Sequence, residues 1–292
     1  MNLLINITKT LRPWQWIKNI LVFTVFIGAG LNDINYFFKL LICFFAISLM
    51  ASAGYVINDL IDEKRDRSHP IKKMRPIASG SISKLQSRII LTTCIFLSSI
   101  MFSQINLSVV ILGFIYLLLS ITYTFKFKLI KFVDSLSISS MFLLRAFIGS
   151  EAVNISISKY LFLFIFSSSF MLALGKKISI KSNSEIKNDY KTYLEKSYST
   201  GLLVALYKLF MGCSVLVYGS WLFNKFEVYG YVEITLIVII IFSVYFVFNI
   251  ILQNSMSAKM EDISIEMFKN KKITANILLI LVVSIFAIYI NN

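Results

Sequence analysis

Nine apolar runs of roughly 17 to 24 residues, separated by short polar stretches, leave this 292-residue chain few ways to fold. They lie near 16–31, 36–57, 87–104, 107–123, 133–150, 159–175, 200–223, 230–252 and 273–290. An α-helix needs about 20 apolar residues to cross roughly 30 Å of hydrocarbon, so the runs predict an all-α integral membrane protein with about nine transmembrane helices. With 57% hydrophobic and only 15% charged residues, too little polar surface remains to coat a soluble globule. The first run is the weakest, because Lys18 and Asn19 sit in its opening turn and its apolar stretch resembles the core of a signal peptide. Trp14 and Trp16 beside Arg12 and Lys18 read instead as an interfacial anchor of a retained segment.

The net charge of +14 follows the topology. With the N-terminus inside, 24 of the 29 Lys and Arg fall before or in the opening turn of the first run, or in the loops after runs two, four, six and eight and the first turn beyond them. The positive-inside rule then predicts a multi-pass protein of the cell inner (plasma) membrane, with a cytoplasmic N-terminus and residue 292 outside. The bilayer explains this charge, and no nucleic acid is expected. Cys43, Cys94 and Cys213 all lie in apolar runs without CxxC spacing and read as core residues. His69 is the only histidine, which excludes a multi-histidine metal site. No linker or internal repeat interrupts residues 1–292, which read as a single transmembrane domain. The inner stretches 58–86 and 176–199 are long enough to carry short helices, whereas the outer links are brief, so chemistry is expected at the inner face.

The second run leads into Asn58-Asp59-Leu60-Ile61-Asp62-Glu63-Lys64-Arg65-Asp66, the pattern N-D-x-x-D-x-x-x-D. On a continuous helix Asn58, Asp59, Asp62 and Asp66 share one face. Three carboxylates this close repel unless a cation lies among them, and hard oxygen donors suit Mg2+ with a phosphate completing its shell. The plainer reading is a solvated helix end in which Asp62 and Asp66 pair with Lys64, Arg65 and Arg67. Favouring chemistry, the carboxylates continue a membrane helix, and a basic tract from Arg67 to Gly80 follows. There Arg75 offers a two-pronged fork for phosphate oxygens, and Lys72 or Lys73 a point charge. Arg145 lies about 16 Å deeper along the fifth run than Asp134. It either lines a lipid cavity or pairs with Glu151 or a carbonyl, and Asp134 has a plainer reading as a helix N-terminal charge. Tyr55 and Tyr123 suit either interfacial anchoring or a site.

These residues resemble the UbiA-type polyprenyltransferase superfamily, which carries an NDxxDxxxD motif after the second of nine helices. Four blocks resemble its decaprenyl-phosphate phosphoribosyltransferase branch: Leu11-Arg12-Pro13-Trp14-Gln15-Trp16-Ile17-Lys18-Asn19; His69-Pro70 through Arg75-Pro76-Ile77-Ala78-Ser79-Gly80; Tyr123-x-Phe125-Lys126 through Asp134 to Arg145-Ala146-x-x-Gly149; and Gly175-Lys176-Lys177. The resemblance implies helices bundled around a central lipid-accessible cavity, with the active site at the cytoplasmic face. It also implies Asp59, Asp62 and Asp66 as catalytic Mg2+ ligands. Substrate contacts would come from Lys18, Tyr55, Asn58, Lys72, Lys73, Arg75, Tyr123, Lys126, Asp134, Arg145 and Lys176. The implied reaction moves 5-phosphoribosyl from phosphoribosyl diphosphate to a polyprenyl phosphate, a step suited to cell envelope biosynthesis. Two departures stand out. The loop after the sixth run has no second DxxxD, and Ile178-Ser179-Ile180 stands where the family often has a glutamate. The nearest rival is a Mg2+-dependent prenyltransferase using a polyprenyl diphosphate and an aromatic or lipid acceptor. A transporter or lipid flippase is the rival from another class, with Arg145 and Lys208 as its midplane charges.

Overall fold

The structure, a computed structural model, describes residues 3–28, 33–67, 72–184, 189–225, 231–257 and 270–289. Every regular element among them is a helix. The chain groups into two compact units, one of Met1–Phe26, Asn32–Lys128 and Leu144–Ser156, the other of Ile27–Leu31, Leu129–Leu143 and Ile157–Asn292.

The first unit is organised around α3 (Ile34–Ile61), whose 28 residues rise about 42 Å, enough to cross the hydrocarbon and carry its last turns beyond it. Packed on α3 are α1 (Leu3–Leu11), a 3-10 helix (Pro13–Phe23), α5 (Lys84–Ser103) and α6 (Leu107–Phe125). The short α2 (Thr24–Gly28) and α4 (Glu63–Arg67) follow the 3-10 helix and α3 in sequence. Small residues let α3 be approached closely: Ser48, Ser52 and Ala53 are fully buried, and Ser98 of α5 donates to the Ala46 carbonyl at 2.8 Å. Ser83 and Gln86 form a capping box that starts α5, and Asn106 caps α6. Ile77 and Ile82 pack on Val56, pinning the end of the basic tract to α3 through a turn in which Gly80 has φ +77°.

The first apolar run departs from the expected α-helix. Residues 13–23 are 3-10, continuing into the five-residue α2, so the run contains no single α-helix of spanning length among the described residues. Packing supplies a reason. Three residues of 3-10 helix rise about 6 Å, as do four of α-helix. Trp16 therefore meets Ser52 at 3.1 Å and Asn19 meets Ser48 at 2.9 Å, steps of three on one side and four on the other. At Gly149 a Cβ would lie 1.9 Å from the Val22 carbonyl oxygen, so that position requires glycine for a third contact along this edge.

The helix α7 (Val133–Val153) contributes its first part to the second unit and its last part to the first. The second unit continues with α8 (Lys159–Ser182), α9 (Asp189–Ser197), α10 (Thr200–Lys225), α11 (Tyr231–Met256) and α12 (Lys271–Tyr289). Met171, Leu174, Leu203, Tyr207, Ile237 and Ile240 form its core. Two polar contacts fix the packing: Ser214 to Ser167 at 2.8 Å, and the Tyr207 hydroxyl to the Phe248 carbonyl at 2.8 Å. Among the described residues, seven helices, α3, α5, α6, α7, α8, α10 and α11, are long and apolar enough to cross a membrane. They match runs two to eight. The ninth run falls on α12, 19 residues long, although residue 290 lies outside the described residues. The short helices expected in the long inner stretches are α4, a 3-10 turn at Lys72–Met74, and α9.

Candidate active site

The carboxylates lie where α3 ends, and this corrects the expected single helical face. The α-helix stops at Ile61, Asp62 caps it at φ −83°, ψ 0°, and α4 begins at Glu63. Backbone bonds of helical type persist on both sides, Asp62 N to Asn58 O at 2.9 Å and Asp66 N to Asp62 O at 2.8 Å. Acidic groups at the C-terminal end of so long a helix face its negative pole and need cations. Asp59 accepts from Arg12 at 2.6 and 2.8 Å and from Arg75 at 3.0 Å. Arg75 also donates to Asp66 at 2.6 Å, so one guanidinium joins the first and last carboxylates of the motif. Asp62 turns elsewhere, to Arg65 at 2.6 Å and Lys128 at 3.6 Å. Glu63 pairs with Arg67 at 2.5 Å and Lys84 at 3.2 Å.

Burial makes these pairings consequential, since Asp59 is 3% and Asp66 1% exposed. The expected pairing of Asp62 with Arg65 is present, but Asp66 pairs with Arg75. Arg12 reaches Asp59 from a left-handed backbone, φ 54° and ψ 58°, immediately before Pro13. That conformation is rare for a residue with a Cβ and costs about 1–3 kcal/mol. Contacts hold it in place: Ser52 donates to the Leu11 carbonyl at 2.8 Å, and the guanidinium lies 5.2 Å from the Tyr55 ring centre. Burial lowers the pKa of Lys72, assisted by the Arg75 charge; burial also lowers that of Lys128, against the opposing pull of Asp62.

Among the described residues, no three Asp, Glu, His or Cys side chains converge as a ready-made metal cage. The donor set nevertheless fits a hard divalent cation. Asp59 and Asp66 already share one cationic group, and Asp66 Oδ1 is buried with no hydrogen-bond partner among the described residues.

The remaining sequence-derived candidates separate. Lys73 and Lys126 are exposed, whereas Lys18, Tyr55, Asn58, Lys72 and Tyr123 are half-buried; His69 and Pro70 lie outside the described residues. Arg145 is 4% exposed, and its partners are not Glu151 but Asn19 at 2.7 Å and the Tyr116 hydroxyl at 2.8 Å. In the second unit Asp134, in the first turn of α7, is fully buried and accepts from Lys177 at 2.7 Å. Lys177 also donates to the Tyr198 hydroxyl at 3.0 Å, and the Phe132 amide reaches the same oxygen at 2.7 Å. Burial pushes the Tyr198 phenol above its usual range, keeping it protonated. Lys176, the expected contact, is exposed one residue away. Arg12, Lys128 and Lys177 were therefore missed as site residues, although Arg12 and Lys177 stand inside the blocks that carried the resemblance.

Comparison with known proteins gives the family. The family model described as "UbiA prenyltransferase family" matches residues 21–271. A decaprenyl-phosphate phosphoribosyltransferase of Mycobacterium tuberculosis is 32% identical over 233 residues, covering 77% of this chain and 76% of that protein. The same-named protein of Mycolicibacterium smegmatis is 29% identical, covering 77% and 72%. A solved UbiA homologue of Archaeoglobus fulgidus, bound to GPP and Mg2+, shares the fold with a TM-score of 0.67 at 15% identity, covering 94% of this chain and 99% of that one. The chain belongs to the UbiA prenyltransferase family.

Proposed function

We propose that this protein transfers a 5-phosphoribosyl group from phosphoribosyl diphosphate to a polyprenyl phosphate, releasing diphosphate. The observation that carries the reading is the excess of cations around one carboxylate cluster, in a chain about 30% identical to relatives named for this activity. Such a site suits two phosphorylated substrates better than a neutral acceptor.

Asp59, Asp62 and Asp66 would hold Mg2+, which when bound neutralises charge on the leaving diphosphate. The protein's own groups do the rest. Lys18, Lys72, Lys73, Arg75 and Lys126 bind phosphate oxygens, Asn58 orients the carboxylates, and Tyr55 and Tyr123 border the donor. A lipid phosphate oxygen attacks the anomeric carbon, the bond from that carbon to the diphosphate oxygen breaks, and its electron pair leaves with diphosphate. The acceptor is already anionic, so no side-chain base is required. Asp134 and Lys176 remain assigned to substrate, with Lys177 holding Asp134 in place. Arg145 is assigned to positioning through Asn19. The distribution of Lys and Arg supports cytoplasmic chemistry in a plasma membrane.

The test is incubation of purified protein with Mg2+, labelled phosphoribosyl diphosphate and a polyprenyl phosphate, followed by mass spectrometry of the lipids. A phosphoribosylated lipid that disappears with EDTA is expected. Its absence, alongside Mg2+-dependent consumption of a polyprenyl diphosphate, would favour the prenyltransferase reading, which the fold shared with a GPP-bound homologue keeps in view.

A further inference from the structure

We propose that Arg12 is a phosphate-binding residue held in reserve on Asp59, so that the site takes up a divalent cation and a diphosphate group together and does not bind the bare cation first. The inference rests on the metal-diphosphate chemistry proposed above and is indifferent to which diphosphate ester is the donor. Three observations carry it.

The first is charge. Asp59, Asp62, Glu63 and Asp66 form ion pairs with six cationic side chains, Arg12, Arg65, Arg67, Arg75, Lys84 and Lys128. Four negative charges against six positive leave the cluster with excess positive charge before any metal arrives. A bare divalent cation adds two more, whereas a cation arriving with diphosphate brings the anion that the surplus requires.

The second is competition for Asp59. Arg12 bonds both of its carboxylate oxygens and Arg75 bonds one of them, so a metal that takes Asp59 as a ligand competes with guanidinium on either oxygen. Guanidinium does not deprotonate, and at 19% side-chain exposure Arg12 is not free to dissolve into water. It needs a replacement anion within reach, and a phosphate matches its planar fork.

The third is anchoring. The backbone around Arg12 is fixed by the Ser52–Leu11 bond, by Trp16 donating to Ser52, and by Pro13, while the guanidinium rests beside the Tyr55 ring. Release from Asp59 therefore pivots the side chain locally and keeps its charge beside the site.

The test follows thermal unfolding of the full chain in detergent with Mg2+ alone, inorganic diphosphate alone, and both at matched free Mg2+. In the wild type, both together are expected to raise Tm by more than the sum of the separate shifts. Arg12→Gln should reverse the preference: bare Mg2+ stabilises it more than wild type, the synergy disappears, and diphosphate binding weakens on the order of tenfold. Arg12→Lys keeps the charge and should still resist bare Mg2+ while losing the fork. Additive shifts in the wild type, or an unchanged response of Arg12→Gln to Mg2+ alone, would overturn the proposal. Synergy without phosphoribosyl transfer would overturn only the proposed reaction; no diphosphate response under any condition would remove both.

Discussion

Asp59 holds two arginines, whereas Asp62, three residues on, is bound by Arg65 and more distantly by Lys128. Asp62 is thus the cleaner probe of chemistry, because replacing it leaves the Arg12–Asp59–Arg75–Asp66 chain intact. Asp62→Asn should lower transfer on the order of a hundredfold with little change in Tm, read by lipid-product formation at saturating Mg2+. Near-normal turnover would remove Asp62 from the mechanism. Lys72 and Lys128 predict a pH effect. Burial lowers both below the ordinary lysine value of 10.5, so they lose charge earlier as pH rises. For folding alone the sign is stabilising, since the unfolded chain binds more protons in that window. For an anionic donor the sign is opposite, and KM should climb on the alkaline side with the rise reduced in Lys128→Met. Lys177→Met leaves Asp134 buried without its cation. It should cost about 3–5 kcal/mol in denaturant unfolding, partly recovered by adding Asp134→Asn. The carboxylates were legible because their spacing is a property of the chain itself. Their partners were not: a helical step of one residue turns a side chain by about 100°, enough to separate exposed Lys176 from buried Lys177.

At the scale of elements, α3 and the 3-10 helix form the frame that presents Arg12 to Asp59. Arg145 and Gly149, four residues apart on α7, both engage that 3-10 helix, one through Asn19 and the other by admitting the Val22 carbonyl. Gly149→Ala puts a methyl group against a backbone oxygen that has no rotamer to escape into. A loss of about 1–3 kcal/mol is expected in thermal or denaturant unfolding, with a shift in tryptophan emission as Trp14 and Trp16 move. An unchanged emission maximum and Tm would show that the contact yields without cost. Runs two to eight were readable because length and apolarity alone select an α-helix in hydrocarbon. The first run was not. Its helix type depends on a neighbour, through serines four residues apart on α3, and no propensity carries that information. The break at Asp62 escaped for a related reason: its bonds remain helical on either side while the carboxylates turn toward separate cations.

For the whole molecule, the excess of Lys and Arg in alternate loops makes an orientation testable. In a Cys213→Ser background, where Cys43 and Cys94 are buried, a single cysteine at Ser81 should react only after the inner face is opened, and one at Ser156 should react in intact cells. The opposite pattern would invert the protein and place its carboxylates outside. The matched spacing of Trp16 on Ser52 and Asn19 on Ser48 also has a consequence for chain length. Inserting one residue between the two would turn everything beyond it by about 120° and slide it about 2 Å; inserting three would restore the facing but skip a tooth. Even the mildest insertion would leave Asn19 unable to reach both Ser48 and Arg145. In this segment the number of residues is as strict a requirement as their identity.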